Sequence, residues 1–379
     1  MANLLSNTAA TAVPFNDLNV RIAQHREALD AAYHAVMDSG WLVLGQNVGQ
    51  FEKEFASYVG VEDCVGVGNG TDALELALRA VGVTTASKVA TAANAGGYSA
   101  TAIRCIGAQV MLIDVDPQTH TVTTDTVTDA LNAGVDAVVI THLYGQLAPE
   151  TAKIVEVCKR QGVPVVEDCA QAHGARDTAG KMAGSFADIS AFSFYPTKNL
   201  GAIGDGGAVC TTAERSSRVR ELRQYGWSSK YTADIPGGRN SRLDEMQAAF
   251  LRCMLPHLDE DNAERVRIAQ RYIDGIDNPS IELPVIAAPN HVAHLFVCQS
   301  HQRDALREHL SAHTVATDVH YPIPDHKQSV FAGSLASEVQ VSERLAERVL
   351  SLPCYPGLSD TAIAHVIESA NAFEPGGAT

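Results

Sequence analysis

Short, continuously apolar runs alternate along the chain with longer segments whose apolar residues recur every three or four positions. The short runs are rich in β-branched residues, which is typical of strands buried on both faces of a parallel sheet that helices cover. The predicted strands are Cys64–Val67, Lys88–Thr91, Gln109–Ile113, Ala137–Thr141, Pro164–Glu167, Ile189–Phe194 and Gly207–Cys210. Helical segments such as Ala73–Val81 and Glu150–Gln161 separate several of them. The pattern predicts an α/β fold.

The pattern changes after about Arg242. A charged helical region covers Leu243–Ile276, with an expected break at Pro256. The later predicted elements are a strand near His294–Gln299 and helices at Gln302–His313, Ser342–Ser351 and Asp360–Ala372. We therefore expect a large α/β domain, residues 14–250, followed by a smaller α+β domain, residues 251–379. The tail at 374–379 is expected to fray.

The net charge of the chain disfavours some classes of binding partner. Among 379 residues there are 28 basic and 44 acidic side chains, which gives a formal net charge of −16. Nucleic acids and anionic membranes repel such a chain, so we expect neither as a partner. No apolar run reaches the ~20 residues that span a bilayer. Met1–Thr11 lacks the basic and apolar regions of a signal peptide and is interpreted as a short polar tail, which predicts a cytoplasmic protein.

The cysteines offer no metal site. There are eight, and none forms a Cys-x-x-Cys pair. Zinc sites use closely spaced ligands. Most of these cysteines lie in apolar segments, such as Cys210 after Ala208 and Val209. We expect buried, reduced thiols and no bound metal.

The segment Val65–Asp72 predicts a place where phosphate can bind. It runs from a strand through a glycine-rich turn into a helix, whose free N-terminal amides and dipole attract anions. Thr71 can cap the helix or offer its hydroxyl to the anion. A dinucleotide site is disfavoured, because no acidic residue follows between Leu76 and Ile113 to hold a ribose. A tight turn without a ligand remains the alternative.

A second segment, Val165–Gly174, carries an acid to the end of a strand. Ligands of open α/β sheets lie at that edge, where Asp168 could ligate a metal, act as a base or pair with a cationic ring nitrogen. Magnesium would need further oxygen ligands. Only Glu167 is near, and alternation along the strand points it to the other face. A carboxylate that merely caps a turn is the alternative.

A third segment, Ala191–Gly207, places Lys198 between an aromatic run and a glycine-rich loop. A lone lysine is normally a solvated surface residue. Burial lowers the pKa of a lysine amine, which suits covalent chemistry with a carbonyl group. The chain has no Walker loop. Pyridoxal phosphate requires a phosphate cradle, an acid opposite its ring nitrogen and a lysine, and the three segments supply them in that order.

The chain resembles the DegT/DnrJ/EryC1/StrS family of nucleotide-sugar aminotransferases. The resemblance runs from about Pro14 to Ile367. The matching motifs are Trp41–Gln46, Asn69–Leu74, His142–Gln146, Glu167–Gly174, Phe192–Gly201, Asn240–Glu245 and His320–Pro324. It implies the pyridoxal-phosphate-dependent transferase fold of type I, with a mainly parallel seven-stranded sheet.

The resemblance also implies roles for individual residues. Lys198 matches the family's Schiff-base lysine, which shuttles a proton between substrate and cofactor. Asp168 matches the acid that keeps the ring nitrogen protonated. The remaining cofactor-binding residues would be Gly70, Thr71, Gln171, Ser193 and Asn240. Asn240 would reach the phosphate from the neighbouring subunit, so the resemblance implies a homodimer with shared active sites.

On the substrate side, Tyr195, His320 and Tyr321 match the positions that contact the sugar. For His320 a turn histidine beside two prolines remains an alternative. The loop with Trp227 and Lys230 fits an active-site role and a plain surface loop equally.

One departure concerns the cofactor ring. Many members of the family carry an aromatic residue, which stacks on this ring, where the chain has Gly96, and Tyr98 follows two positions later. Either Tyr98 reaches the ring by another backbone path, or that face of the ring is covered differently.

With glycine at position 96, the chain resembles the branch of the family that aminates dTDP-linked 3-keto-6-deoxy sugars. The resemblance thus implies transfer of an amino group from L-glutamate to the keto carbon, at C3, of such a sugar. A 4-keto sugar substrate remains an alternative. So does a non-catalytic regulatory protein with the same fold, although such a protein is expected to lack Lys198, Asp168 or the phosphate turn.

Overall fold

The computed structural model describes residues 12–336 and 338–376. The polar segment Met1–Thr11 and the last three residues of the tail lie outside the described residues. The strands are β1 Asp63–Val67, β2 Lys88–Ala92, β3 Gln109–Ile113, β4 Ala137–Thr141, β5 Val165–Asp168, β6 Ile189–Ser193, β7 Gly207–Thr211, β8 Trp227–Ser229, β9 Thr232–Ala233, β10 Phe296–Gln299, β11 Leu335–Ala336 and β12 Val349–Leu352. The seven strands predicted for the large sheet all form, with ends shifted by one residue at most.

Thirteen α-helices occur among the described residues. They are α1 Leu18–Gln24, α2 Arg26–Ser39, α3 Gln46–Val59, α4 Gly70–Ala80, α5 Tyr98–Ile106, α6 Thr124–Asn132, α7 Thr151–Arg160, α8 Ala213–Leu222, α9 Glu245–Met254, α10 Leu258–Gly275, α11 Arg303–Ala312, α12 Gln340–Arg348 and α13 Asp360–Asn371. No helix of the described residues is long and apolar enough to cross a bilayer.

The large sheet has the strand order β1-β7-β6-β5-β4-β2-β3-β11. Strand β7 runs antiparallel to β6 and β1, and the other neighbouring pairs are parallel. The carboxyl ends of β1, β2, β4, β5 and β6 therefore meet at one edge, which is where ligands of such sheets bind. The eighth strand, β11, was not predicted, because two residues are too few to form a recognisable apolar run.

The C-terminal part differs from the prediction at one helix. The predicted helix Ser342–Ser351 ends at Arg348, so its last three residues were assigned wrongly. Val349–Leu352 instead forms β12, which pairs antiparallel with β10 and places Ser351 opposite Val297. Tertiary pairing thus overrides the helical pattern there. The break at Pro256 is confirmed, since a 3₁₀ turn at Leu255–His257 separates α9 from α10.

The hydrophobic core contains residues of both the large sheet and the C-terminal part of the chain. One cluster of buried apolar residues includes Val138 and Ile140 of the sheet together with Phe296 and Val349 of the C-terminal part. A domain boundary near residue 250 stays a prediction.

All eight cysteines are free, and six of them are buried. Cys105 is exposed and Cys253 is half-buried, so the expectation of buried thiols does not hold for these two.

Candidate active site

A cavity of about 460 Å³ lies at the edge where the strand ends meet. Its walls bring together residues that are far apart in sequence. The predicted site residues that line it are Gly70, Thr71, Asp168, Gln171, Ser193, Tyr195 and Lys198. The cavity therefore unites the three candidate segments.

The phosphate turn is the first turn of α4. The helix begins at Gly70, three residues before the predicted start, because the Asn69 side chain accepts a hydrogen bond from the Asp72 amide at 2.9 Å. Asn69, rather than Thr71, is thus the capping residue. A Cβ at Gly70 would lie 2.6 Å from that of Ser193, so glycine lets the helix end approach β6. The free amides of this turn face a site suited to an anion.

Strand β6 has two faces. Phe192 and Phe194 pack edge-on against Phe55 of α3, with ring centroids 5.0 and 5.2 Å away. Because side chains alternate along a strand, Ser193 points to the opposite face and lines the cavity. The aromatic packing thus fixes the strand that carries the hydroxyl.

Asp168 is buried at the end of β5. Its carboxylate accepts hydrogen bonds from the Ala170 amide at 3.2 Å and the Ser99 hydroxyl at 3.0 Å. Burial raises the pKa of this carboxyl group, while these two donors and the charge of Lys198 oppose the rise. Asp168 therefore caps a turn, as one interpretation held, and also faces the cavity.

Its neighbour Glu167 points the other way, as the alternation predicts. The Glu167 carboxylate accepts three backbone amides of residues 184–187 at 2.7–2.8 Å and lies 2.9 Å from Nε2 of His142. Nδ1 of His142 accepts the Ala148 amide at 3.1 Å, so Nε2 carries the proton. Cys169 also lies close enough to complete a metal-ligand set. Both ring nitrogens are engaged, however, and the cluster is a structural one.

Lys198 lies on the cavity wall. Burial lowers the pKa of its amine to about 8, and the negative charge of Asp168 limits the drop. Near neutral pH the amine is thus present in both protonation states, as a proton carrier requires.

This pKa can be tested on the cofactor-free chain. Only the neutral amine reacts with acetic anhydride, so labelling of Lys198 should rise with pH around a midpoint near 8. An unperturbed lysine would give a midpoint about two units higher. Mass spectrometry of the labelled peptides measures the midpoint, with exposed Lys153 in the same digest as the reference. A midpoint of 10 or above would contradict the burial effect.

A second cavity, of about 290 Å³, adjoins the first. Both are lined by Tyr98, Gln171, Tyr195 and Lys198. The other residues around the second are Phe15, Asn16, Thr197, His294, Leu295, Asp318, His320, Leu352 and Cys354. Lys198 therefore lies on a wall that two cavities share.

His320 is held within this second wall. Its Nδ1 lies 2.9 Å from the Ser351 hydroxyl, and its ring stacks on Phe15 at 5.8 Å. His320 thus lines the second cavity, and its contact with a sugar stays a prediction.

Tyr321 explains the glycine at position 96. A Cβ on Gly96 would lie 2.8–2.9 Å from the Tyr321 ring, so that ring occupies the space of the missing side chain. The Tyr321 hydroxyl accepts a hydrogen bond from Gln171 at 3.1 Å. Tyr98 packs edge-on against Tyr321 at 6.0 Å and is itself 53% exposed.

Asn240 is the predicted cofactor residue that does not line the cavity. It is exposed, and its two neighbours hold it in place: Arg239 and Ser241 each contact the Asp72 carboxylate at 2.6 Å. The hairpin of β8 and β9, with Trp227 and Lys230, does not line either cavity.

Sequence reasoning missed several polar residues of the site. Ser99 donates to Asp168, and the Tyr144 amide donates to the Gln171 side chain at 2.7 Å. The Tyr144 hydroxyl also donates to the His320 carbonyl. Thr141 lines the cavity at the end of β4, where its buried hydroxyl has no partner among the described residues. Thr141 had a signal, since the last polar residue of a parallel strand reaches this edge.

Comparison with known proteins gives consistent matches. The model of the DegT/DnrJ/EryC1/StrS aminotransferase family matches residues 23–371. A dTDP-3-amino-3,4,6-trideoxy-alpha-D-glucose transaminase of Micromonospora megalomicea subsp. nigra is 43% identical over 355 residues, which cover 91% of this chain and 94% of that protein. A dTDP-3-amino-3,6-dideoxy-alpha-D-galactopyranose transaminase of Aneurinibacillus thermoaerophilus is 39% identical, over 95% of this chain and 99% of that protein. The crystal structure of S. venezuelae DesV with a ketimine intermediate superposes with a TM-score of 0.90 at 41% identity, over 95% and 98% of the two chains.

Proposed function

Because the chain belongs to the DegT/DnrJ/EryC1/StrS aminotransferase family, we propose that it moves an amino group from L-glutamate to the C3 keto carbon of a dTDP-linked keto-6-deoxyhexose. Pyridoxal 5′-phosphate is the proposed cofactor, and a dTDP-linked amino sugar is the product. The observation that carries the proposal is the position of Lys198, buried on a wall shared by two cavities and facing the charge of Asp168.

The residues of the first cavity fit this cofactor. The α4 amides, beside Thr71 and Ser193, suit its phosphate, and Asp168 suits a cationic ring nitrogen. The unpartnered Thr141 hydroxyl adds a polar atom that lacks a hydrogen-bond partner within the described chain. Lys198 supplies the amine for the aldehyde. When bound, pyridoxal phosphate supplies an electron sink for the charge left when a proton leaves carbon.

The chain's own residues then hold charge and move protons. Lys198 would take the proton from the carbon that bears the amino group and deliver it to the cofactor, which its pKa of about 8 allows. Asp168 would hold a proton on the ring nitrogen through its negative charge. Ser99 and the Ala170 amide orient this carboxylate with hydrogen bonds, and they favour its charged form.

The second cavity is proposed to hold the sugar. His320 and Tyr195 line it, and Tyr321 binds Gln171 beside it. The relatives named for dTDP-3-amino sugars favour C3 over C4 as the site of amination.

A homodimer is proposed to complete the site. Asn240 is exposed and lies between two residues that are hydrogen-bonded to Asp72, which suits contact with the phosphate in a neighbouring subunit. An apolar group of exposed side chains, Trp41, Leu42 and Val43, offers a surface for the second copy.

The test is a reaction of the purified protein with pyridoxal phosphate, L-glutamate and either the 3-keto or the 4-keto sugar nucleotide. We expect the absorption band of bound cofactor to bleach with glutamate, 2-oxoglutarate to form, and nuclear magnetic resonance to place nitrogen at C3. Nitrogen at C4 would support the 4-keto alternative. A protein that takes up no cofactor would contradict the enzyme proposal and favour the regulatory one.

A further inference from the structure

A guanidinium group lies behind the turn that carries Lys198. Arg21 of α1 donates from Nη2 to the Pro196 carbonyl at 2.6 Å and from Nη1 to the Lys198 carbonyl at 3.1 Å. Some 177 residues of chain separate the two partners. One planar side chain therefore bridges two backbone oxygens of the turn that holds the lysine.

The turn itself is tight. The Lys198 amide donates to the Tyr195 carbonyl at 2.8 Å, which closes the turn on one side. A Cβ on Gly201 would lie 2.5 Å from the Pro196 oxygen and 2.9 Å from Nη2 of Arg21. Glycine at this position thus leaves room for the guanidinium to reach its acceptors.

We propose that Arg21 is a positioning residue, which fixes the backbone of Lys198 so that its amine stays at the wall between the two cavities. The inference rests on the proposed function, because it concerns the lysine of that reaction. Arg21 itself lines neither cavity, and its contact with the residues that do is the hydrogen bond to the Lys198 carbonyl.

The chemistry of arginine suits this task. A guanidinium presents several donors in one rigid plane and can hold two acceptors at once, whereas an ammonium group is a point charge. Burial and the nearby charge of Arg265 lower the pKa of Arg21 to about 10, while Asp261 opposes the drop. The side chain therefore remains charged at neutral pH, and its hydrogen bonds are charge-assisted.

The test compares Arg21→Gln and Arg21→Lys with Arg26→Gln. Arg26 lies on the neighbouring helix with a 67% exposed side chain and serves as the matched control. Hydrogen exchange of the segment 195–201 is measured without cofactor, and kcat and KM are measured with it. The exchange rate does not depend on the proposed function. A failure of the positioning proposal can therefore be distinguished from a failure of the proposed function.

For Arg21→Gln we expect exchange of the segment to be at least about tenfold faster, and kcat to fall about 10- to 100-fold with KM for the sugar within about twofold. Arg21→Lys keeps the charge but not the bridge, so its losses should be intermediate. It also carries the test if Arg21→Gln does not fold. Unchanged exchange, or faster exchange with an unchanged kcat, would overturn the proposal.

Discussion

Replacing Lys198 with alanine is expected to lower turnover by about 10⁴-fold, the largest effect of any single substitution here. The amine is the group proposed both to anchor the cofactor and to move the proton, and no other lysine lines the first cavity within the described chain. The loss should fall on kcat. The absorption band of the anchored cofactor, measured by spectroscopy, should disappear with it.

Two controls separate this chemistry from general damage. Lys153→Ala removes an exposed lysine on α7 and should leave turnover unchanged. Alanine at position 198 leaves space on the cavity wall, so a small amine such as ethylamine should restore part of the activity of that variant. Retention of more than a tenth of wild-type turnover by Lys198→Ala would contradict the assignment.

The second large effect is expected for Asp168→Asn, at about 10³-fold in kcat. Asparagine keeps the shape and can still accept the Ser99 hydrogen bond, but it lacks the negative charge that is proposed to hold a proton on the ring nitrogen. The charge of Asp168 also favours protonated Lys198. The labelling midpoint of Lys198 should therefore move below 8 in this variant, and mass spectrometry can measure the shift.

Glu167→Gln is the matched control, because it changes the adjacent carboxylate on the opposite face of β5. Its hydrogen bonds with backbone amides and His142 are structural, so the variant should lose thermal stability while each folded molecule keeps its turnover. If Asp168→Asn and Glu167→Gln lowered turnover equally, the distinct role of Asp168 would be wrong.

The strands of the sheet could be predicted because burial on both faces imposes continuous apolar runs, as in Ala137–Thr141. Several residues of the first cavity could also be predicted, since each lies at or after the end of a strand within one short motif. Gly70, Asp168 and Lys198 are examples. Their convergence depends only on the common direction of β1, β5 and β6, which parallel topology ensures.

Other contacts carry no signal in a single sequence. The acceptors of Arg21 are backbone carbonyls, which every residue type possesses. The ring of Tyr321 fills the space above Gly96, although 225 positions separate the two residues. Only the folded chain therefore shows that this ring leaves no room for a side chain at position 96. Helix α12 ends where β12 begins to pair with β10, and local propensity cannot reveal this pairing.

The two adjoining cavities have an evolutionary consequence. The walls of the first come from residues between Asn69 and Asp205, whereas the unshared walls of the second come mainly from Phe15, Asn16 and residues after position 293. With the sugar in the second cavity, as proposed, substitutions in these later segments would change which sugar binds without disturbing the phosphate turn or Asp168. New sugar preferences would then arise while the residues proposed for the cofactor are retained.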